Sequence, residues 1–180
     1  MIIGLSGYAQ SGKDTVANYL VEYYGYSRIA FADPLRQAVY KLNPRIDVGD
    51  MRGVYLANAV DNLGWDRVKV ESEQARELLQ RMGTEVGREM FGQNFWVDYA
   101  MREVSKSDKV VFTDVRFPNE YESIKERGGL VWRIERPGIV AVNNHISETA
   151  MDSVEVDKII LNNSTPGSLH ETLDYLMQHL

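Results

Sequence analysis

The stretch GYAQSGKDT, residues 7–15, decides the fold. Its first seven letters spell G-x-x-x-x-G-K, the frame of a phosphate-binding loop. A loop that holds a di- or triphosphate needs glycines, because its backbone N–H groups must turn inward and approach the oxygens closely. Gly7 and Gly12 meet that need, and a helix starting near Lys13 adds the positive end of its dipole. Lys13 would reach the terminal phosphates as a point charge. The plain alternative is a glycine turn that happens to precede a lysine. It fits poorly, because residues 2–6 read as a buried strand, while Val16, Ala17, Leu20, Val21 and Tyr24 recur at helical spacing before Gly25.

Asp14 stands where the frame normally places a Ser or Thr hydroxyl on magnesium. It can be a first-turn carboxylate facing the helix dipole, or a hard oxygen ligand for magnesium. A third role, polarising the nucleophile, is disfavoured by the neighbouring Lys13. Thr15 supplies a hydroxyl one position late, and the metal role is the preferred reading of the pair.

Composition narrows the setting. The chain has 180 residues, 44% hydrophobic and 26% charged, which suits one globular domain with room for an insertion. Its formal charge is −6 with no block of Lys and Arg, which argues against binding a nucleic-acid backbone. There is no Cys, so disulfides and thiolate metal sites are excluded. No apolar run is long enough to span a bilayer and no signal peptide is legible, so a soluble cytoplasmic protein is expected.

Strand and helix signals alternate at both ends of the chain. Residues 28–31 read as a second strand closed by Asp33-Pro34, and 109–113 as a buried strand. Residues 118–127 read as a helix with Pro at its first turn, 130–134 and 159–161 as strands. Ser168 with Glu171 reads as a capping box opening the last helix. This alternation predicts an α/β fold, a parallel sheet covered by helices on both faces. Residues 34–102 break the pattern as a mostly helical insertion. Ala75, Leu78, Leu79, Met82 and Val86 mark one helix face, and residues 41–66 carry no clear period. The expected layout is a single domain with its core in 1–33 and 103–180 and a short lid at about 136–149.

A phosphate loop alone also serves GTPases and motors. No N-K-x-D guanine signature exists here, so an acceptor site is sought, and three stretches offer one. In TDVRFPNE, Asp114 ends a strand at the carboxyl edge of the sheet, where doubly wound proteins bind ligands. Arg116 can pair with it or clamp a phosphate, and Glu120 can orient an arginine; a strand-end salt bridge with a helix cap is the plain alternative. In ARELLQRMGTEVGR, Arg76, Gln80, Thr84 and Arg88 recur every four residues on the polar side of a helix. A solvated face and a nucleotide-binding stripe explain that equally well, and Trp96 reads equally as a core side chain or a stacking platform. In RIERPGIVAVNNHISE, Arg133, Arg136, His145 and Glu148 suit a loop closing over phosphates, though a surface loop looks much the same.

Taken together, GYAQSGKDT, FADPLR, LLQRMGTEVGR followed by FW, TDVRFPNE and HISE resemble the bacteriophage deoxynucleoside monophosphate kinases. The blocks run in that family's order over most of the chain, and the Asp after the loop lysine is itself a family feature. The resemblance implies a P-loop kinase that moves the γ-phosphoryl group of ATP to a deoxynucleoside 5′-monophosphate with Mg2+. It assigns Gly7, Ala9, Ser11, Gly12, Lys13, Asp14, Thr15 and Arg133 to ATP, with Asp14 and Thr15 at the metal. It assigns Asp33, Arg36, Arg76, Gln80, Gly83, Thr84, Arg88, Trp96, Arg116 and Glu120 to the monophosphate. Lys13, Asp14, Asp114 and Arg116 then form the reaction centre, and Arg136, His145 and Glu148 the lid. The family is often dimeric, and a phage-encoded member would work in the host cytoplasm. The rival readings are another small-molecule P-loop kinase, of phosphomevalonate or dephospho-coenzyme A type, and a non-catalytic nucleotide-binding regulator.

Overall fold

A computed structural model describes residues 1–102, 104–105, 108–140 and 149–180. The chain divides into two compact units, the first formed by residues 1–31 and 100–180, the second by 32–99.

The first unit is built on a five-stranded parallel sheet. Its strands are β1 (Ile2–Ser6), β2 (Ser27–Ile29), β5 (Val110–Phe112), β6 (Leu130–Glu135) and β7 (Lys158–Leu161), in the order β2-β5-β1-β6-β7. Every β1 residue is buried, as expected for a central strand with neighbours on both sides. Alternation along β1 splits its contacts. Ile3 and Leu5 join the core under helix α1 (Lys13–Tyr24) and the C-terminal helix α7 (Pro166–Gln178), which contribute Val16, Ala17, Leu20, Leu169 and Leu173. A side chain at Gly4 would run into Ile124 of α6 (Pro118–Glu126) and Val115, so α6 covers the opposite face closely. The expected two-sided cover is present. Because β1 lies between β5 and β6, the loops at the carboxyl ends of these three strands converge, which is where an open α/β sheet binds ligands.

The second unit departs from the sequence-based expectation in its front half. Residues 45–55, expected to be loop, form an antiparallel hairpin of β3 (Arg45–Val48) and β4 (Met51–Tyr55), turning at Gly49 with φ +56°. Helix α2 (Asp33–Leu42) precedes it, with Pro34 in the first turn, so Asp33-Pro34 opens a helix, and β2 ends earlier, at Ile29. Helix α3 (Leu56–Glu71) follows, broken at Gly64, whose φ of +76° lies outside helical space. Then come α4 (Glu73–Arg81), a π-helix (Met82–Met90) and α5 (Phe95–Arg102). Val39, Ile46, Val48, Leu56, Ala59, Val68 and Ala75 form this unit's own buried core.

One cap differs from expectation. Helix α7 starts at Pro166 with Thr165 as N-cap, its hydroxyl accepting from the Ser168 N–H, so Ser168 is the capped residue and not the cap.

Candidate active site

The loop between β1 and α1 has the backbone a phosphate cradle needs. Gly7 (φ +129°) and Gly12 (φ +108°) lie in the region that favours glycine, and Gln10 joins them at φ +64°. The glycines are also required by space. A side chain at Gly7 would meet the Ile134 carbonyl, and one at Gly12 would meet the Asn162 amide. Asn162, just past β7, donates from Nδ2 to the Ser11 carbonyl at 2.9 Å and holds the loop from outside. The Lys13 ammonium turns back over the loop, donating to the carbonyls of Gly7 (2.6 Å) and Tyr8 (2.7 Å). Ser11 is 2% exposed, and its Oγ has no hydrogen-bond partner among the described residues. An orphaned buried hydroxyl costs about 1–3 kcal/mol, which an incoming ligand oxygen can recover.

Asp14 lies in the first turn of α1, and its carboxylate forms an ion pair with Arg28 of β2. Thr15 follows it, exposed on the same turn. No cluster of three or more His, Cys, Asp or Glu among the described residues could hold a metal. The hard oxygens of Asp14 and Thr15 fit Mg2+ only in company with phosphate oxygens, the coordination this ion favours in phosphotransferases.

A cavity of about 520 Å³ opens beside the loop, bounded by Gly7, Tyr8 and Ser11 on one side. Arg116, Arg133 and Arg136 line it, against Glu135 and Asp152. Arg133 is held by its Nη2, which donates to the carbonyls of Met151 and Val154 (2.8 Å). Arg136 opens a turn closed by the Ile139 N–H onto its carbonyl at 3.1 Å, with Gly138 at φ +79°. The Tyr8 hydroxyl donates to Asp152 Oδ2 at 3.1 Å, and that bond is the main reason its phenol is pushed above the usual tyrosine range. His145 and Glu148 lie outside the described residues.

Asp114 leaves β5 at the sheet's carboxyl edge, as expected, with Oδ1 accepting from the Phe31 N–H at 2.7 Å. Glu120 caps the backbone, the plain alternative raised for this stretch. It is 4% exposed, and one oxygen accepts from the N–H groups of Arg116 (2.7 Å) and Phe117 (3.1 Å). The carboxylate therefore fixes the backbone that carries Arg116 and starts α6.

The expected monophosphate residues Asp33, Arg36, Arg76, Gln80, Gly83, Thr84, Arg88 and Trp96 all fall in the second unit. Arg36 pairs with Asp33 one helical turn away at 3.3 Å. Arg76 is engaged in capping α3, donating to the carbonyls of Lys69 (2.7 Å) and Val70 (3.3 Å). The every-four stripe does not run on one α-helix, because α4 ends at Arg81 and the π-helix carries Thr84 and Arg88. Gln80 and Thr84 are solvent-exposed, and Arg88 donates to the Gln93 carbonyl at 3.5 Å. Trp96 resolves to the core alternative. It is 7% exposed, donates to the Gly83 carbonyl at 3.1 Å, and fills the space beside Gly87.

Tyr8, Arg28, Asp152 and Asn162 escaped the sequence reading. Only Asn162 had a usable signal, its place directly after a parallel strand.

A sequence model described as deoxynucleotide monophosphate kinase matches residues 67–173. The chain belongs to that family. The matched span excludes residues 7–15, so the phosphate loop is an independent observation pointing the same way. The kinase is 31% identical to the putative deoxynucleotide monophosphate kinase of Acanthamoeba polyphaga mimivirus, covering 92% of this chain and 90% of that one. It is 25% identical to the deoxynucleoside-5'-monophosphate kinase of Escherichia phage T5, over 72% and 74% of the two chains. Shikimate kinase from Aquifex aeolicus vf5 superimposes with a TM-score of 0.49 at 14% identity, over 99% of the kinase and 97% of that chain. That likeness carries nothing about substrate. The protein is a nucleotide kinase, and no helix among its described residues is long and apolar enough to cross a membrane.

Proposed function

We propose that this kinase transfers the γ-phosphoryl group of ATP to a deoxynucleoside 5′-monophosphate, giving ADP and the deoxynucleoside diphosphate, with Mg2+. The observation that supports this reading is the buried, unpartnered Ser11 hydroxyl in a glycine loop that opens onto an arginine-lined cavity.

An acceptor phosphate oxygen forms the new bond to the γ-phosphorus as the bond to the β-phosphate oxygen breaks, and that oxygen leaves with the electron pair on ADP. The acceptor is already an oxyanion, so no strong base is required, and positioning with charge neutralisation does most of the catalysis. Gly7, Ala9, Ser11 and Gly12 offer loop N–H groups to the phosphates, and Ser11 adds its hydroxyl. Lys13 exchanges its loop carbonyls for phosphate oxygens. Asp14 and Thr15 would hold Mg2+, which when bound neutralises phosphate charge and orients the transferred group. Arg116 meets charge developing on the equatorial oxygens, Asp114 borders that centre, and Arg133 and Arg136 line the ATP side.

In the second unit, Arg36, Gln80, Thr84 and Arg88 are the groups suited to the monophosphate and its base. Trp96 serves them from the core by shaping the turns at Gly83 and Gly87. ADP release coupled to a spectroscopic readout, run against deoxynucleoside and ribonucleoside monophosphates and phosphomevalonate, tests the proposal. Turnover with at least one deoxynucleoside monophosphate is expected. Turnover with phosphomevalonate alone, or tight ATP binding with no transfer, overturns it.

A further inference from the structure

Arg28 lies on β2, the edge strand of the sheet, opposite Val111. Its guanidinium reaches α1 with two nitrogens at once. Nη2 forms the ion pair with Asp14 Oδ1, and Nη1 donates to Asn18 Oδ1 at 3.3 Å. Asp14 and Asn18 are four residues apart and share one face of α1, so Arg28 grips that face across a full turn. The ordinary reading is a surface fastening, and such pairs contribute little when both partners are solvated. These are solvated, with 44% of the Arg28 side chain and 74% of the Asp14 side chain exposed. A weak fastening leaves the more consequential effect, which falls on Asp14. With Oδ1 against the guanidinium, Oδ2 is the oxygen turned to other company, and any cation there shares its carboxylate with a fixed positive charge.

We infer that Arg28 is a positioning residue that holds the Asp14 carboxylate at the start of α1 and competes with Mg2+ for it, thereby setting the Mg2+ concentration at which nucleotide binds. This rests on the reading of Asp14 as a magnesium ligand. Two cations on one carboxylate repel, and the guanidinium contact must loosen or share as the ion arrives. At a solvated site, one unit charge a few ångströms away changes an ion's binding constant about three- to fivefold at low salt, and less as salt is added. Replacing Arg28 by a neutral side chain should therefore strengthen Mg2+ binding and lower the concentration required. Lysine at the same position keeps the charge and most of the competition.

The test is calorimetric titration of ATP into the full chain, without acceptor, over a series of Mg2+ concentrations, with a thermal melt of each variant. Arg28→Gln is expected to lower the half-maximal Mg2+ concentration about three- to fivefold, and to lose that advantage at high salt. Arg28→Met serves as a second neutral variant if Arg28→Gln does not fold, and Arg28→Lys should stay near the parent. Asp14→Asn should raise the midpoint, and adding Arg28→Gln to it should change nothing further. An unchanged or raised midpoint in the neutral Arg28 variants, with Asp14→Asn still raising it, overturns the role of Arg28 alone. No effect of Asp14→Asn overturns the magnesium reading itself.

Discussion

The Trp96 indole N–H donates to the Gly83 carbonyl at 3.1 Å, while the ring occupies the space that a side chain at Gly87 would need. Two glycines of the π-helix, thirteen and nine residues before Trp96, thus meet one side chain. Gly87→Ala places a methyl group against a rigid ring, an overpacking that costs about 1–3 kcal/mol. The expected result is a melting temperature lower by roughly 2–12 °C in calorimetry. Pairing it with Trp96→Phe should recover part of the loss by making room. An unshifted melt would mean that the indole yields freely.

Asn162 is the outer support of the phosphate loop, through its 2.9 Å bond to the Ser11 carbonyl. Asn162→Ala removes about 0.5–1.5 kcal/mol of net hydrogen bonding from a loop whose shape is its function. ADP affinity by titration calorimetry should fall about two- to tenfold, with little change in kcat. A loss of kcat at unchanged affinity would contradict a supporting role.

Asp174 on α7 accepts from both Tyr19 and Tyr24 of α1 at 2.7 Å, fastening the two helices on one face of the sheet. Donation from Tyr24, then Tyr19, holds its carboxyl below the usual range, and the bond to Asp174 pushes the Tyr19 phenol up to about 12. The depressed carboxyl stabilises the fold above its unfolded value of 3.8, and that contribution is lost as pH falls through the lowered folded value. The raised phenol contributes fully below 10.0 and loses its contribution between there and about 12. The melting-temperature gap between parent and Asp174→Ala should therefore be widest near neutral pH and shrink at both extremes. A gap independent of pH would show that only packing was removed.

The parallel sheet and its loop were legible because they follow rules visible in short windows. Gly7 and Gly12 announce the backbone geometry, and β5 and β6 are apolar runs with turn residues after them. The hairpin was not legible. Ile46 and Val48 do alternate with Arg45 and Asp47, but four residues are too few to stand out beside Gly49 and Gly53. Gly64 breaks the period of α3, and the π-helix breaks the four-residue stripe that the sequence suggested. The partners of Arg76 and Glu120 were hidden for a different reason. Both bond to backbone groups, which carry no letter in the sequence.

Glu120 and Arg116 give the sharpest separation of scaffold from chemistry. Glu120 holds the Arg116 backbone N–H at 2.7 Å from inside the protein, whereas Arg116 itself is among the residues lining the cavity. Arg116→Ala should leave the melting temperature nearly unchanged and lower kcat by about a hundredfold or more, the scale of losing one charge-stabilising donor. Glu120→Ala should lower both, since it removes the acceptor of two backbone N–H groups and loosens the start of α6. Glu120→Gln keeps an acceptor at that position and should recover stability and turnover together. If Arg116→Ala retains full kcat, the guanidinium does not meet the transferred group. If Glu120→Ala loses turnover without losing stability, the carboxylate touches substrate itself and its role as a backbone clamp is secondary.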